Sequence, residues 1–210
     1  MPFDRNRLKR SFQSVSAITS KVPPDSPRRE ELLERAYGYV LEHGVADLSL
    51  RPLAAAIDSS PRVLLYLFGS KSELVQALLA RARQEELAVL RHVQTVGHNN
   101  DLTTVAAELW KWLAADEHRA LLTLWVEGYA RSLIAPDSAW AGFARSTVRD
   151  WLHVLADAQG PRDRETPAAE AERTLVLAVL RGAMLDLLAT GDITRITNAV
   201  DRQLTLLCPR

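Results

Sequence analysis

The 210 residues contain a single cysteine, Cys208. This excludes an intrachain disulfide or a thiolate metal centre and suits a reducing compartment. Long hydrophobic runs are missing too. The longest, Leu175 to Leu180, falls far short of the ~20 residues needed to cross a bilayer, so no membrane partner is expected. No apolar stretch of ~7–15 residues follows the basic start, so a secretory signal is not expected and a cytoplasmic location is. Alternation with period two, the mark of a half-buried strand, is absent over any useful length. Enzyme signatures are also lacking: there is no Gly-x-Ser-x-Gly elbow, His-Glu-x-x-His, phosphate loop or dinucleotide fingerprint. His43, His92, His98, His118 and His153 lack ligand spacing and read as surface or capping residues. Cys208, next to Pro209 near the last residue, is poorly placed as a nucleophile. The expectation is therefore no enzymatic activity, no metal and no cofactor.

Net charge is absent as well, with 26 Lys and Arg against 26 Asp and Glu. An even distribution would argue against a nucleic-acid partner, because phosphate neutralisation drives such binding. The distribution is uneven, since residues 1–29 hold seven basic side chains against two acidic ones. Residues 1–27 read as a disordered basic arm, which either enters a minor groove beside a DNA reader or serves only as a solubilising leader.

What is present is concentrated between Leu48 and Leu74. There the sequence predicts two very short helices and the start of a third, each with its own cap. Ser49 is placed as an N-cap, with Leu48 and Leu53 spaced for a hydrophobic staple and Pro52 in the first turn. Asp58-Ser59-Ser60-Pro61 ends that helix and opens the next, with Ser60 as cap and Pro61 at the first helical position. The second helix runs to about Leu67 and stops near Gly69. Ser70 and Glu73 then form an S-x-x-E capping box ahead of Leu74, Leu78 and Leu79. Upstream, Ser26-Pro27 opens a helix with Leu33, Ala36, Tyr37, Val40 and Leu41 on one face, closed at His43-Gly44. Such compact spacing is what a helix-turn-helix needs.

The same residues carry a family resemblance. A helix ending in Gly, a Ser cap with Arg two residues on, and then Leu-Tyr-x-Phe-x-Ser-Lys-x-x-Leu resembles the tetracycline-repressor (TetR) family of transcriptional regulators. The matching residues are Ser49, Arg51, Leu53, Ala54, Ser60, Leu64, Phe68, Ser70, Lys71 and Leu74, within a region covering 28–75. Two departures stand out. Ile57-Asp58-Ser59 replaces the family's usual Ala-Gly-Val, and Leu65 occupies the position of its phosphate-binding tyrosine, with Tyr66 following. The resemblance implies a homodimer formed by the last two helices and a small-molecule effector bound among the middle ones.

Physical roles follow for the matched region. Arg51 and Arg62 lie at the starts of the two short helices, where a guanidinium can reach phosphates or bond both N7 and O6 of guanine. Lys71 begins the next helix, placed to neutralise a phosphate beside free backbone N–H groups. Ser49, Ser60 and Tyr66 can donate to backbone oxygens, Ser49 and Ser60 being caps at the same time, while Tyr66 could equally be core. Pro61 and Val63 complete the candidate DNA-facing set. Leu64 and Phe68, four residues apart, are expected in the core.

Beyond the motif the pattern is helical throughout. Further helices are expected over about 70–95, 102–115, 117–134, 137–158, 168–189 and 193–207, giving about nine and an all-α class. Residues 76–210 form the second expected domain. The helix containing Leu175–Leu180 is apolar nearly all round, which requires burial on both sides. The next keeps Ile193, Ile196, Val200, Leu204 and Leu207 on one stripe. Together, helices 168–208 fit a homodimer interface built as a four-helix bundle, although the first could simply be the monomer's central helix.

All five tryptophans lie in the middle helices: Trp110, Trp112, Trp125, Trp140 and Trp151. Trp140, Phe143, Val148, Trp151 and Leu155 are expected to share a stripe, and Trp125 and Tyr129 sit four apart on the neighbouring helix. Aromatic stripes are commonly plain core, but ligand pockets are lined the same way. Trp110, Trp125, Tyr129, Trp140, Phe143 and Trp151 are the candidate lining of a site for an apolar or aromatic effector, with Glu127, Arg131, His118 and His153 as candidate orienting groups. The sequence thus points to a regulator that binds a palindromic double-stranded DNA operator as a homodimer, most simply a repressor released by its effector. The alternatives are an activator of the same family without a ligand, or a helical adaptor that does not bind DNA.

Overall fold

The computed structural model describes residues 26–45, 47–96, 101–162 and 164–207. The basic arm expected over 1–27 lies almost wholly outside them, as do His98 and Cys208. Nine α-helices and one short 3-10 turn occur among the described residues, with no strand. They are α1 (Pro27–His43), α2 (Leu50–Ala56), α3 (Pro61–Phe68), α4 (Lys71–Val96), α5 (Leu102–Ala114), the turn Asp116–His118, α6 (Arg119–Ile134), α7 (Phe143–Asp157), α8 (Pro167–Thr190) and α9 (Ile193–Leu207). No single described helix is long and apolar enough to cross a membrane.

The caps set the geometry of the first four helices. Ser26 Oγ accepts from the Arg29 N–H at 3.2 Å, Ser60 Oγ from the Val63 N–H at 3.2 Å, and Ser70 Oγ from the Glu73 N–H at 3.1 Å. Ser49 departs from expectation. It stands at the N-cap position of α2 in an extended conformation, but its hydroxyl makes no capping bond. The end of α2 explains the Ile57-Asp58-Ser59 departure. The Ser59 N–H reaches back to the Ala54 carbonyl at 2.8 Å, a Schellman closure, with Asp58 in the left-handed region at φ +51°. Glycine is the usual residue there, and aspartate is among the few others that tolerate it. Asp58 also accepts from Arg35 of α1 at 3.1 Å, which fastens the turn to the preceding helix. Accordingly, Asp58→Gly should change stability by less than about 1 kcal/mol, strain relief offsetting the lost exposed ion pair. Asp58→Val should cost about 1–3 kcal/mol, because a β-branched residue is forced to positive φ. Urea midpoints of the two variants check this, and equal destabilisation would contradict it.

A single hydrophobic core runs through the molecule. Leu32, Ala36, Tyr37 and Val40 of α1 meet Leu53 and Ala54 of α2, Leu64 and Phe68 of α3, and Leu74, Val75 and Leu78 of α4. On α1 it is Leu32, rather than Leu33, that is fully buried. Polar contacts lock α1 to α4: the Tyr37 hydroxyl donates to Glu85 at 2.8 Å, and Arg81 bonds Glu34 at 2.6 Å while lying over the Tyr37 ring. Burial, and then the bond to Glu85, hold the Tyr37 phenol well above its ordinary range, so it remains a donor.

Two expectations about the later helices are corrected. The helix expected from 137 begins only at Phe143. Residues 135–142 make turns instead: Ser138 bonds the Ala135 carbonyl and the Trp140 N–H, and Gly142 enters α7 at φ +74°. Trp140 therefore lies in a turn, off the stripe of Phe143 and Trp151. The apolar stripe of α9 also faces inward. Ile196, Val200 and Leu204 are buried, α9 packing on α5 and α8, with the Trp110 indole donating to Thr197 at 3.1 Å. These neighbours supply enough apolar surface within one chain. On α8, Leu175 and Leu185 are 46% and 49% exposed and share a helical stripe with the exposed Ala178, Gly182 and Ala189, while on α9 Ile193 and Leu206 remain exposed at 42% and 68%.

Candidate nucleic-acid interface and internal cavity

The three helix starts that follow α1 carry the outward-facing cations. Arg51 in the first turn of α2, Arg62 in the first turn of α3 and Lys71 opening α4 are all exposed. No ion pair with another described residue engages any of them, whereas Arg28, Arg35 and Arg81 nearby are each paired with carboxylates. On α3 the wheel divides cleanly. Leu64 and Phe68 are buried, with Arg29 of α1 stacked over the Phe68 ring at 4.8 Å, while Arg62, Val63, Leu65 and Tyr66 face out. Tyr66 is 64% exposed and is thus not core. Leu65 is exposed as well, at 41%, which places an apolar side chain beside the tyrosine on the outer face. Ser49 is exposed, and Ser60 and Pro61 are half-buried at the start of α3. The eight candidate residues thus occupy the outer sides and first turns of α2, α3 and α4.

A second site lies among the later helices. A cavity of about 400 Å3 is bounded by α5, α6, α7 and α8. Trp125 and Trp151 meet edge to face at 6.1 Å and form part of its wall, together with Tyr129, Phe143, Leu177, Leu180 and Met184. Trp112 leans on Trp125 at 5.7 Å and is itself stacked on His118, whose ring nitrogen bonds the Trp112 carbonyl at 2.8 Å. Gly128 allows the close packing behind this wall. A Cβ there would come within 3.0 Å of the Phe143 ring and 3.2 Å of Leu79.

Of the six expected lining residues, Trp125, Tyr129, Phe143 and Trp151 line the cavity. Trp110 does not, because it is buried toward α9, and Trp140 does not, because it sits in the turn before α7. None of the four expected orienting groups lines it either. His118 supports Trp112, His153 is exposed beside Asp157, Arg131 faces outward near Asp47, and Glu127 points toward α1. The polar residues in the wall are instead Thr147 and Arg181. Arg181 Nη1 bonds the Tyr129 hydroxyl at 3.4 Å, and its guanidinium lies over that ring. The sequence did carry a signal for Arg181: it is the lone charge in the helical stretch 174–185, otherwise apolar apart from Thr174.

Two groups connect the helices around the cavity to α4 and to the end of α1. Glu86, fully buried on α4, accepts the indole N–H of Trp151. Burial pushes its carboxyl up to about 7, the Trp151 bond opposing the shift. Glu127 of α6 accepts the Val45 N–H at 2.8 Å, directly after α1. Gly44, at φ +79°, leaves room for this contact, since a Cβ there would lie 3.3 Å from the Glu127 carboxylate.

No family model matches the sequence, and no curated protein is similar to it. Solved structures are. A transcriptional regulator from Rhodococcus sp. Rha1 is similar over 85% of this chain and 95% of its own, at 20% identity and a TM-score of 0.70. A TetR transcription regulator from Haloarcula marismortui ATCC 43049 is similar over 85% and 95% of the two chains, at 17% identity and a TM-score of 0.66. The multidrug binding protein EbrR in complex with ethidium is similar over 88% and 99%, at 25% identity and a TM-score of 0.64. The expected all-α class and the resemblance drawn from residues 28–75 agree with these likenesses along most of the chain.

Proposed function

We infer that this chain, which has the fold of the TetR-family transcriptional regulators, is a DNA-binding regulator, a repressor released from a palindromic operator by a small-molecule effector. The carrying observation is that Arg51, Arg62 and Lys71, at three successive helix starts, are exposed and without an ion pair among the described residues. In this reading residues 28–75 are the reader and 76–210 the effector-binding and dimerising part. α3 lies in the major groove, Arg62 and Arg51 address base edges or phosphates, and Lys71, Ser49, Ser60 and Tyr66 hold the backbone. Two copies join through α8 and α9. The exposed Leu175–Leu185 stripe supports α8 as the main contact, since contiguous apolar surface of this kind marks an interface.

The switch works through differential affinity for two arrangements of the readers. Glu86 and Glu127 are the levers, because each ties a cavity helix to α4 or α1. Removing the Glu127 carboxylate leaves the buried Val45 N–H without its acceptor. Glu127→Ala should therefore cost about 1–3 kcal/mol in urea unfolding. It should also reduce the effector's ability to release DNA while leaving effector affinity within a few-fold. Full release by the variant would remove Glu127 from the coupling route.

The experiment that tests the function is selection of bound duplexes from a random-sequence library. The expected result is an inverted repeat with half-site centres about one helical turn apart or a multiple of it. Enrichment of no sequence would favour an adaptor that does not bind DNA.

A further inference from the structure

The chemistry of the cavity wall restricts its guest. Every lining residue except Thr147, Tyr129 and Arg181 is apolar or an indole, and Arg181 is the only one that carries charge. Three buried polar atoms on lining residues have no hydrogen-bond partner: Trp125 Nε1, Thr147 Oγ1 and Arg181 Nη2. The first and last can only donate, and the hydroxyl can do so. Buried donors of this kind are rare and call for an acceptor. No carboxylate among the described residues lies within ion-pair distance of Arg181; Glu86 acts on it from further away, and burial outweighs that attraction and lowers its hold on the proton.

We propose that the cavity takes an apolar, largely aromatic molecule bearing a single carboxylate, with Arg181 as its countercharge and the Trp125 indole and Thr147 hydroxyl as further donors. One cation in an otherwise neutral wall matches a monoanion, whereas a doubly charged phosphate would leave a charge buried without a partner. The flat faces of Trp125, Trp151 and Phe143 suit a ring system. Glu86 does not repel such a guest. It is absent from the wall and is covered by Trp151, and burial pushes its carboxyl up to about 7, which disfavours its charge. Two of the three ligands found with EbrR, ethidium and proflavin, are cationic dyes, the third being imidazole, and a cation in this chain's cavity would meet Arg181 instead. The inference rests on reading this cavity as the effector site.

The test uses the full chain and three probes with one ring system: 1-pyrenecarboxylate, 1-pyrenecarboxamide and 1-pyrenylmethylammonium. Binding is followed by quenching of tryptophan fluorescence. The expected order is the carboxylate tightest by at least tenfold over the amide, with the ammonium weakest. Arg181→Gln should abolish the carboxylate's advantage without weakening the amide, and Arg181→Lys should keep most of it. Equal affinities for the three probes in the wild type would overturn the anion assignment while leaving the cavity as a binding site. No binding of any probe would overturn the cavity reading itself. If Arg181→Gln does not fold, the wild-type order and Arg181→Lys still decide the matter, since loss of the advantage in the lysine variant with tight binding of the ammonium would contradict it.

Discussion

Arg62→Ala is expected to lower affinity for the selected inverted repeat by roughly thirtyfold to ten-thousandfold, with the fold unchanged. The range follows from about 1–3 kcal/mol for each arginine–guanine fork, counted once in each half-site. The structure makes Arg62 a clean target. It is exposed in the first turn of α3, no ion pair among the described residues holds it, and the helix is anchored from its other face by Leu64 and Phe68. Truncation should leave the thermal midpoint within about 2 °C, because an exposed unpaired side chain adds little to stability. Lys71→Ala should behave differently. It should weaken binding evenly across sequences and reduce the salt slope, as expected of a phosphate contact. A competition series with base changes in one half-site separates the two behaviours. If Arg62→Ala kept full affinity and full discrimination, the assignment of α3 as the reading helix would fall.

Glu86→Gln is expected to raise stability at pH 8, by about 3 kcal/mol at most, and to flatten its pH dependence. The native carboxyl titrates at about 7 against an ordinary 4.5 because burial disfavours its charged form. A raised carboxylate pKa means the folded state holds the proton to higher pH than the unfolded one does. Stability attributable to Glu86 is thus intact below pH 4.5, declines as pH rises from there to about 7, and stays low above. One pKa unit is worth about 1.36 kcal/mol, which sets the upper figure. Glutamine can still accept the Trp151 indole N–H, so the packing of α4 on α7 should survive. Its amide leaves a buried donor where Glu86 Oε2 now has no partner, which reduces the gain. Urea midpoints at pH 5 and pH 8 check the sign. Parallel wild-type and variant profiles would show that Glu86 is ionised at the same pH in both states.

The sequence revealed the first four helices more fully than the cavity, for a physical reason. Helix starts are written in local chemistry, so Ser60, Pro61, Ser70 and Gly69 are readable within a few residues of what they control. The Asp58 turn was visible as a break, though not as the left-handed closure that lets aspartate stand where glycine is usual. The cavity depends on which faces of four helices meet, and that is settled by packing over long separations. Periodicity found Trp125, Tyr129, Phe143 and Trp151 but carried Trp140 into the stripe, because the turn at Ser138 and Gly142 interrupts the helical phase. It also sent Ile196, Val200 and Leu204 to an interface, although α5 and α8 of the same chain cover them. Arg181 was detectable as a lone charge in an apolar helix. Glu86 was not, since it sits among Arg83, Gln84 and Glu85 with nothing to mark it as the buried one.

The measurement that bears most directly on the DNA-binding reading is the salt dependence of affinity for the selected inverted repeat. Two chains per duplex and a steep linear fall of log affinity with log salt are expected. For six to ten neutralised phosphates the loss between 50 and 200 mM would be about a thousandfold or more. Affinity that does not change with salt, or binding by one chain alone, would contradict a paired reader built on Arg51, Arg62 and Lys71.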